Sequence, residues 1–115
     1  MTIIYGIKNC DTVKKALKWL DSNSITYQFH DLRIDGLSED LINDFVSRSG
    51  WTELINKRST TFRNLPEDIK SNLTDDAAKS AVLEQPTLLK RPLLLLDNQL
   101  HIGFKADNYQ TIFAK

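Results

Sequence analysis

The chain contains one cysteine, Cys10, so it can close no internal disulfide and is expected to hold its fold by packing alone. A cysteine-based metal centre needs more ligands than this thiol and two widely separated histidines, His30 and His101, can supply. No metal is therefore expected. No stretch approaches the roughly 18 apolar residues that span a bilayer. The opening Met1-Thr2-Ile3-Ile4 reaches charged Lys8 too soon for a secretory leader. Charge of one sign is also lacking, since fifteen basic side chains balance fifteen acidic ones. Phosphate neutralisation supplies most nucleic-acid affinity, so neither a nucleic acid nor a membrane surface is an expected partner. These absences together describe a cytoplasmic protein in a reducing compartment.

What is present suits one compact core. The 115 residues include 41% hydrophobic and 26% charged side chains, with no repeat and no Gly/Ser-rich linker, so residues 1–115 read as a single domain. Thr2 to Ile7 is a nearly continuous apolar run, the pattern of a strand covered on both faces. Helical spacing follows Cys10: Val13, Ala16, Leu17 and Leu20 share a face, and Lys14, Lys15, Lys18 and Asp21 point to water. Ile25, Tyr27 and Phe29 alternate with polar residues and predict a second strand.

The middle of the chain is predicted helical. Ser38 is placed as an N-cap before Leu41, Ile42, Phe45 and Val46, with Gly50 at the far end. Trp51 to Ile55 reads as a short helical turn, Pro66-Glu67-Asp68 as a helix start, and Thr74 as the cap of a helix stopped by Pro86. Leu93 to Leu96 and Leu100 to Ile102 flank Asp97-Asn98, a good two-residue hairpin turn. Asp107 is expected to cap a last helix carrying Tyr109, Ile112 and Phe113. The predicted fold class is α/β: a mixed sheet in the order β-α-β, helices, β-β-α.

Cys10 lies where the first strand hands over to the first helix. The first-turn amides of a helix have no internal partners and carry partial positive charge, which lowers a thiol's pKa. Lys8 and Lys14 are near enough in sequence to add positive potential, against Asp11. The alternative is that free cysteines usually just pack in the core. The polar neighbours Lys8, Asn9, Asp11 and Thr12 favour a working thiol instead. A Brønsted slope of about 0.45 takes back much of what a higher thiolate fraction gains in attack, so the larger benefit is as a leaving group. That suits turnover through a mixed disulfide. The C-x-x-C position is Val13, so a second thiol must come from outside.

The stretch Tyr5-Gly6-Ile7-Lys8-Asn9-Cys10-Asp11-Thr12-Val13-Lys14-Lys15-Ala16 resembles the opening of the ArsC/Spx/YffB-like proteins, in particular the YffB branch. Leu54 through Arg63, Gln85 through Pro92, and His101-Ile102-Gly103-Phe104 resemble it too, so the similarity runs along essentially the whole chain. The resemblance implies a thioredoxin-like fold with a helical insertion at roughly 37–85, with Cys10 as redox nucleophile and Pro92 following a cis peptide. It also implies that Arg91, with Arg58 or Lys57, binds an anionic substrate. Guanidinium forks suit that task. Two positions depart from the arsenate-reductase pattern. The third arginine falls at Gly103-Phe104, and the histidine four residues before the cysteine is Gly6.

The function so implied is a glutathione-dependent thiol/disulfide oxidoreductase with no bound cofactor. Glutathione or another small thiol is the co-substrate. One alternative is an arsenate reductase coupled to glutathione and glutaredoxin. The other, of a different class, is a non-catalytic Spx-like regulator that binds RNA polymerase. His30 and His101 read as structural or solvent-facing, and Trp19 and Trp51 as packing residues.

Overall fold

The computed structural model describes residues 2–71 and 74–114. The chain divides into two compact units, Met1–Asp35 with Arg91–Lys115, and Gly36–Lys90.

The first unit is built on a four-stranded sheet ordered β2-β1-β3-β4, where β1 is Thr2–Gly6, β2 Gln28–Asp31, β3 Leu93–Leu96 and β4 Gln99–Ile102. β1 pairs parallel with β2 and antiparallel with β3, and β3 pairs antiparallel with β4. The parallel pair requires a crossover, supplied by helix α1, Asp11–Ser22. Asp97 and Asn98 turn β3 into β4 with φ of 51° and 66°, the left-handed pair a type I′ turn demands. Helix α7, Ala106–Phe113, ends the unit.

Ile4 and Leu94 are fully buried on one face of the sheet, clustered with Ala16 and Leu20 of α1 and Tyr109 of α7. Trp19, Phe104 and Phe113 surround the Tyr109 ring, the first two edge-on at 5.5 and 4.7 Å. Tyr5 and Leu93, pointing the other way, are buried as well. Burial on both faces explains why the two central strands read as unbroken apolar runs. The arrangement is a thioredoxin-like mixed sheet.

The second unit is helical: α2 (Glu39–Ser49), α3 (Trp51–Leu54), α4 (Thr60–Arg63), α5 (Glu67–Ser71) and α6 (Asp75–Glu84), then a 3₁₀ turn at Pro86–Leu88. Ser38 and Thr74 cap as expected, accepting from the Leu41 amide at 3.1 Å and the Ala77 amide at 3.2 Å. Ile42, Phe45, Leu54, Ala78, Val82, Leu88 and Leu89 are buried. The Leu54 carbonyl and Asn56 amide bond to the Lys90 amide and Leu88 carbonyl, each at 2.8 Å.

Two local expectations are corrected, and one helix is added to them. The strand predicted from Ile25 pairs only over Gln28–Asp31, because Ser24 turns with φ of 58° and the Ile25 amide bonds back to Leu20 at 3.0 Å. Asp107 is not a cap: Lys105 occupies that position, extended, and Asp107 sits in the first turn. Helix α4 was not predicted. It starts at Ser59, whose hydroxyl accepts from the Phe62 amide at 3.1 Å. Among the described residues, no helix is long and apolar enough to cross a membrane.

Candidate active site around Cys10

The site begins with a turn. β1 ends at Gly6, and the Cys10 amide bonds to the Ile7 carbonyl at 3.0 Å, setting Lys8 and Asn9 at the corners. Cys10 is the N-cap of α1, in extended conformation (φ −89°, ψ 123°), and its carbonyl accepts the first helical bond from Lys14 at 3.0 Å. Its side chain is half-buried and closes no capping hydrogen bond. Burial opposes its ionisation. The Val13 amide, the Arg91 side chain and the Thr12 amide outweigh that opposition and hold the Cys10 pKa below its ordinary value.

Arg91 is therefore the cation that bears on the sulfur. Lys8, which sequence proximity suggested for that role, instead acts on Asp31. The Arg91–Pro92 peptide is cis, Pro92 is buried, and its carbonyl accepts from the Gly103 amide at 2.9 Å. Cys10 and Arg91 thus meet at one end of the sheet, one from the β1–α1 turn and one from the approach to β3.

Lys57 and Arg58 are both exposed and belong to the helical unit. With Lys90, Thr52, Ile55 and Asn56 they line a cavity of about 350 Å³ that has three cations and no carboxylate on its walls. The Arg58 backbone is tied to the Asn56 side chain at 3.1 Å. Phe104, one of the pair Gly103-Phe104 at which the resemblance puts the third arginine of arsenate reductases, packs edge-on against Tyr109. His30 stacks obliquely on Tyr5, with ring centroids 5.1 Å apart, and His101 lies on β4 opposite Leu94. Trp51 donates to Asp75 at 2.7 Å. Among the described residues, no group of three or more His, Cys, Asp or Glu is placed to hold a metal.

Sequence reasoning missed Asp31, which is 3% exposed and ends β2. Its carboxylate accepts from the Lys8 amide at 3.1 Å, the Arg33 amide at 2.8 Å and the Ile34 amide at 3.0 Å. Burial pushes its pKa up, but the Ile34, Arg33 and Lys8 amides with the Lys8 charge hold it below the usual carboxylate range. The available signal was an Asp closing an alternating strand and followed by Leu-Arg-Ile-Asp, the composition of a side-chain-closed turn. Its third bond, to a residue 23 positions away, leaves no local trace.

The family model described as the ArsC family matches residues 5–112. An uncharacterized protein of Haemophilus influenzae is 50% identical over 114 residues, covering 99% of this chain and 100% of that protein. The global transcriptional regulator Spx of Lactiplantibacillus plantarum is 32% identical over 117 residues, covering 100% of this chain and 88% of the regulator. Among solved structures, an arsenate reductase (ArsC) related protein from Brucella melitensis is 44% identical with a TM-score of 0.82, over 99% of this chain and 95% of the other. A protein described as YFFB is 39% identical with a TM-score of 0.89, over 96% and 97% of the two chains. With this match over nearly its full length, the chain belongs to the ArsC family.

Proposed function

We propose that this chain is a glutathione-dependent thiol/disulfide oxidoreductase in which Cys10 is the nucleophile. The observation that carries the reading is a half-buried sulfur at a helix N-cap, with two first-turn amides and the Arg91 guanidinium favouring its ionised form. Cys10 attacks the glutathione sulfur of a mixed disulfide. The bond to the substrate sulfur breaks, a Cys10–glutathione disulfide forms, and the substrate leaves as a thiolate that takes up a proton. A second glutathione thiolate then attacks the glutathione sulfur, expelling Cys10 as thiolate and yielding oxidised glutathione. The sum is one disulfide reduced and one glutathione disulfide formed. The low Cys10 pKa assists the second step, since a stabilised thiolate leaves readily.

Arg91 supplies positive charge beside the sulfur and so favours a co-substrate that carries carboxylates, as glutathione does. Lys57, Arg58 and Lys90 give the helical unit a cationic cavity of the same preference. Arsenate reduction is less well supported, because Gly6 and the pair Gly103-Phe104 stand where the resemblance to arsenate reductases puts a histidine and an arginine.

A second reading is a non-catalytic regulator that binds RNA polymerase, favoured by the 32% identity to Spx along the whole chain. Val13 counts against a disulfide switch, since it fills the second C-x-x-C position with a fully buried apolar side chain. Glutathione-coupled reduction of a small mixed disulfide, followed by consumption of NADPH through glutathione reductase, separates the two. The oxidoreductase turns over and Cys10→Ser does not. No turnover, together with capture of RNA polymerase subunits, supports the regulator.

A further inference from the structure

Asp31 is the one buried charged residue among the described residues. A carboxylate is costly to bury unless its oxygens are satisfied, and here the two oxygens are divided. Oδ1 accepts from Arg33 and Ile34, closing the turn that follows β2. Oδ2 accepts from the Lys8 amide, in the turn that carries Cys10. The backbone doubles the tie, since the Leu32 amide bonds to the Gly6 carbonyl at 2.8 Å. Asp35 braces the clasp: its side chain accepts from the Asp31 amide and its amide donates to the Asp31 carbonyl. Cys10 is thus held from one side by α1, and from the other by a turn whose corner amide is fixed by β2.

We propose that Asp31 is a positioning residue for Cys10, holding the Lys8 amide so that the turn presents the sulfur to the Val13 and Thr12 amides and to Arg91. This rests on the reading of Cys10 as the working nucleophile. Position and charge have opposite consequences at this site. As a bare negative charge, Asp31 would disfavour a thiolate, and neutralising it would make Cys10 more acidic. As a clasp, it aligns the groups that stabilise the thiolate, and breaking it makes Cys10 less acidic. The other charged groups nearby are Arg91 at the sulfur, Lys8 at Asp31, and Asp11 and Lys14 in the first turn of α1.

The test is the pH dependence of Cys10 alkylation by iodoacetamide in the full chain. Asp31→Asn keeps Oδ1 for Arg33 and Ile34 but turns an NH₂ toward the Lys8 amide, cutting that bond alone. Lys8→Pro removes the donor instead, at a turn position proline favours. Lys8→Ala, which loses the same charge but keeps the amide, is its control. Asp31→Asn is expected to alkylate roughly threefold or more slower than the wild type at pH 6, and Lys8→Pro likewise against Lys8→Ala. Both midpoints should move up and the rates converge at high pH, which mere destabilisation would not produce. Midpoints left in place, or a lower one in Asp31→Asn, overturn the proposal. Should Asp31→Asn not fold, the two Lys8 variants decide. A wild type that already titrates as a free thiol, unchanged in every variant, sinks the reading of Cys10 itself. A low wild-type midpoint that the variants leave alone sinks only the role of Asp31.

Discussion

A methyl group built on Gly6 would stand 2.8 Å from one Val13 methyl carbon and 3.0 Å from the other. Gly6 ends β1 and Val13 lies in the first turn of α1, fully buried, so strand and helix touch here without room for a side chain. Gly6 is where the family resemblance puts the histidine of arsenate reductases, and Val13 is where a C-x-x-C pair would have its second thiol, so this one contact occupies both positions.

Gly6→Ala is expected to lower stability by about 1–3 kcal/mol, since a β-branched neighbour cannot swing aside. Combining it with Val13→Ala should return part of that loss, a coupling of roughly 0.5–3 kcal/mol in a double-mutant cycle. Chemical denaturation of the four proteins measures both. Strict additivity would show that the two residues do not oppose each other.

Arg91 contributes to Cys10 ionisation through both its side-chain hydrogen bond and its charge. Arg91→Met should slow Cys10 alkylation at pH 6 by on the order of three- to tenfold, with Arg91→Lys in between, because the point charge survives but the planar fork does not. The gap should narrow above the free-thiol range of about 8.5, where the sulfur ionises without help. Equal rates at pH 6 would remove Arg91 from the site.

The Asp31 carboxyl has its pKa depressed in the fold, so its contribution has a definite sign. The stabilisation is fully present above the unfolded value of about 3.9 and is lost as pH falls through the lower folded value. The stability of wild type over Asp31→Asn should therefore hold at neutral pH and shrink on acidification below about pH 4. Urea midpoints across that range test it. A difference that grows on acidification would contradict the assignment.

Much of this was legible locally. The place of Cys10 between an apolar run and a helical stripe, the Ser38 and Thr74 caps, and the Asp97-Asn98 turn all depend on neighbours within four residues. What was missed depends on distant partners. Lys8 was expected to act on the sulfur, yet its amide and charge belong to Asp31, a residue 23 positions away. Arg91 comes to Cys10 only through strand pairing between β1 and β3. Its role came from family resemblance, with no periodic pattern to suggest it. Asp107 failed as a cap for a smaller reason: an extended Lys105 starts the helix two residues earlier, and no side-chain bond marks that start.

Tyr109 carries a buried hydroxyl with no hydrogen-bond partner among the described residues, and burial pushes its pKa up. Its ring is enclosed by Trp19, Phe104 and Phe113. Tyr109→Phe keeps those ring contacts and removes an unsatisfied group that costs about 1–3 kcal/mol when buried. The melting temperature should stay the same or rise. A clear fall would show that the hydroxyl has a partner worth keeping.

The most direct test of the whole account is the thiolate absorbance of Cys10 near 240 nm, titrated in wild type and read against Cys10→Ser. The expected result is a single ionisation with its midpoint below the free-thiol value of about 8.5, moving upward when Arg91 is replaced. A midpoint at or above that value, indifferent to Arg91, would contradict it.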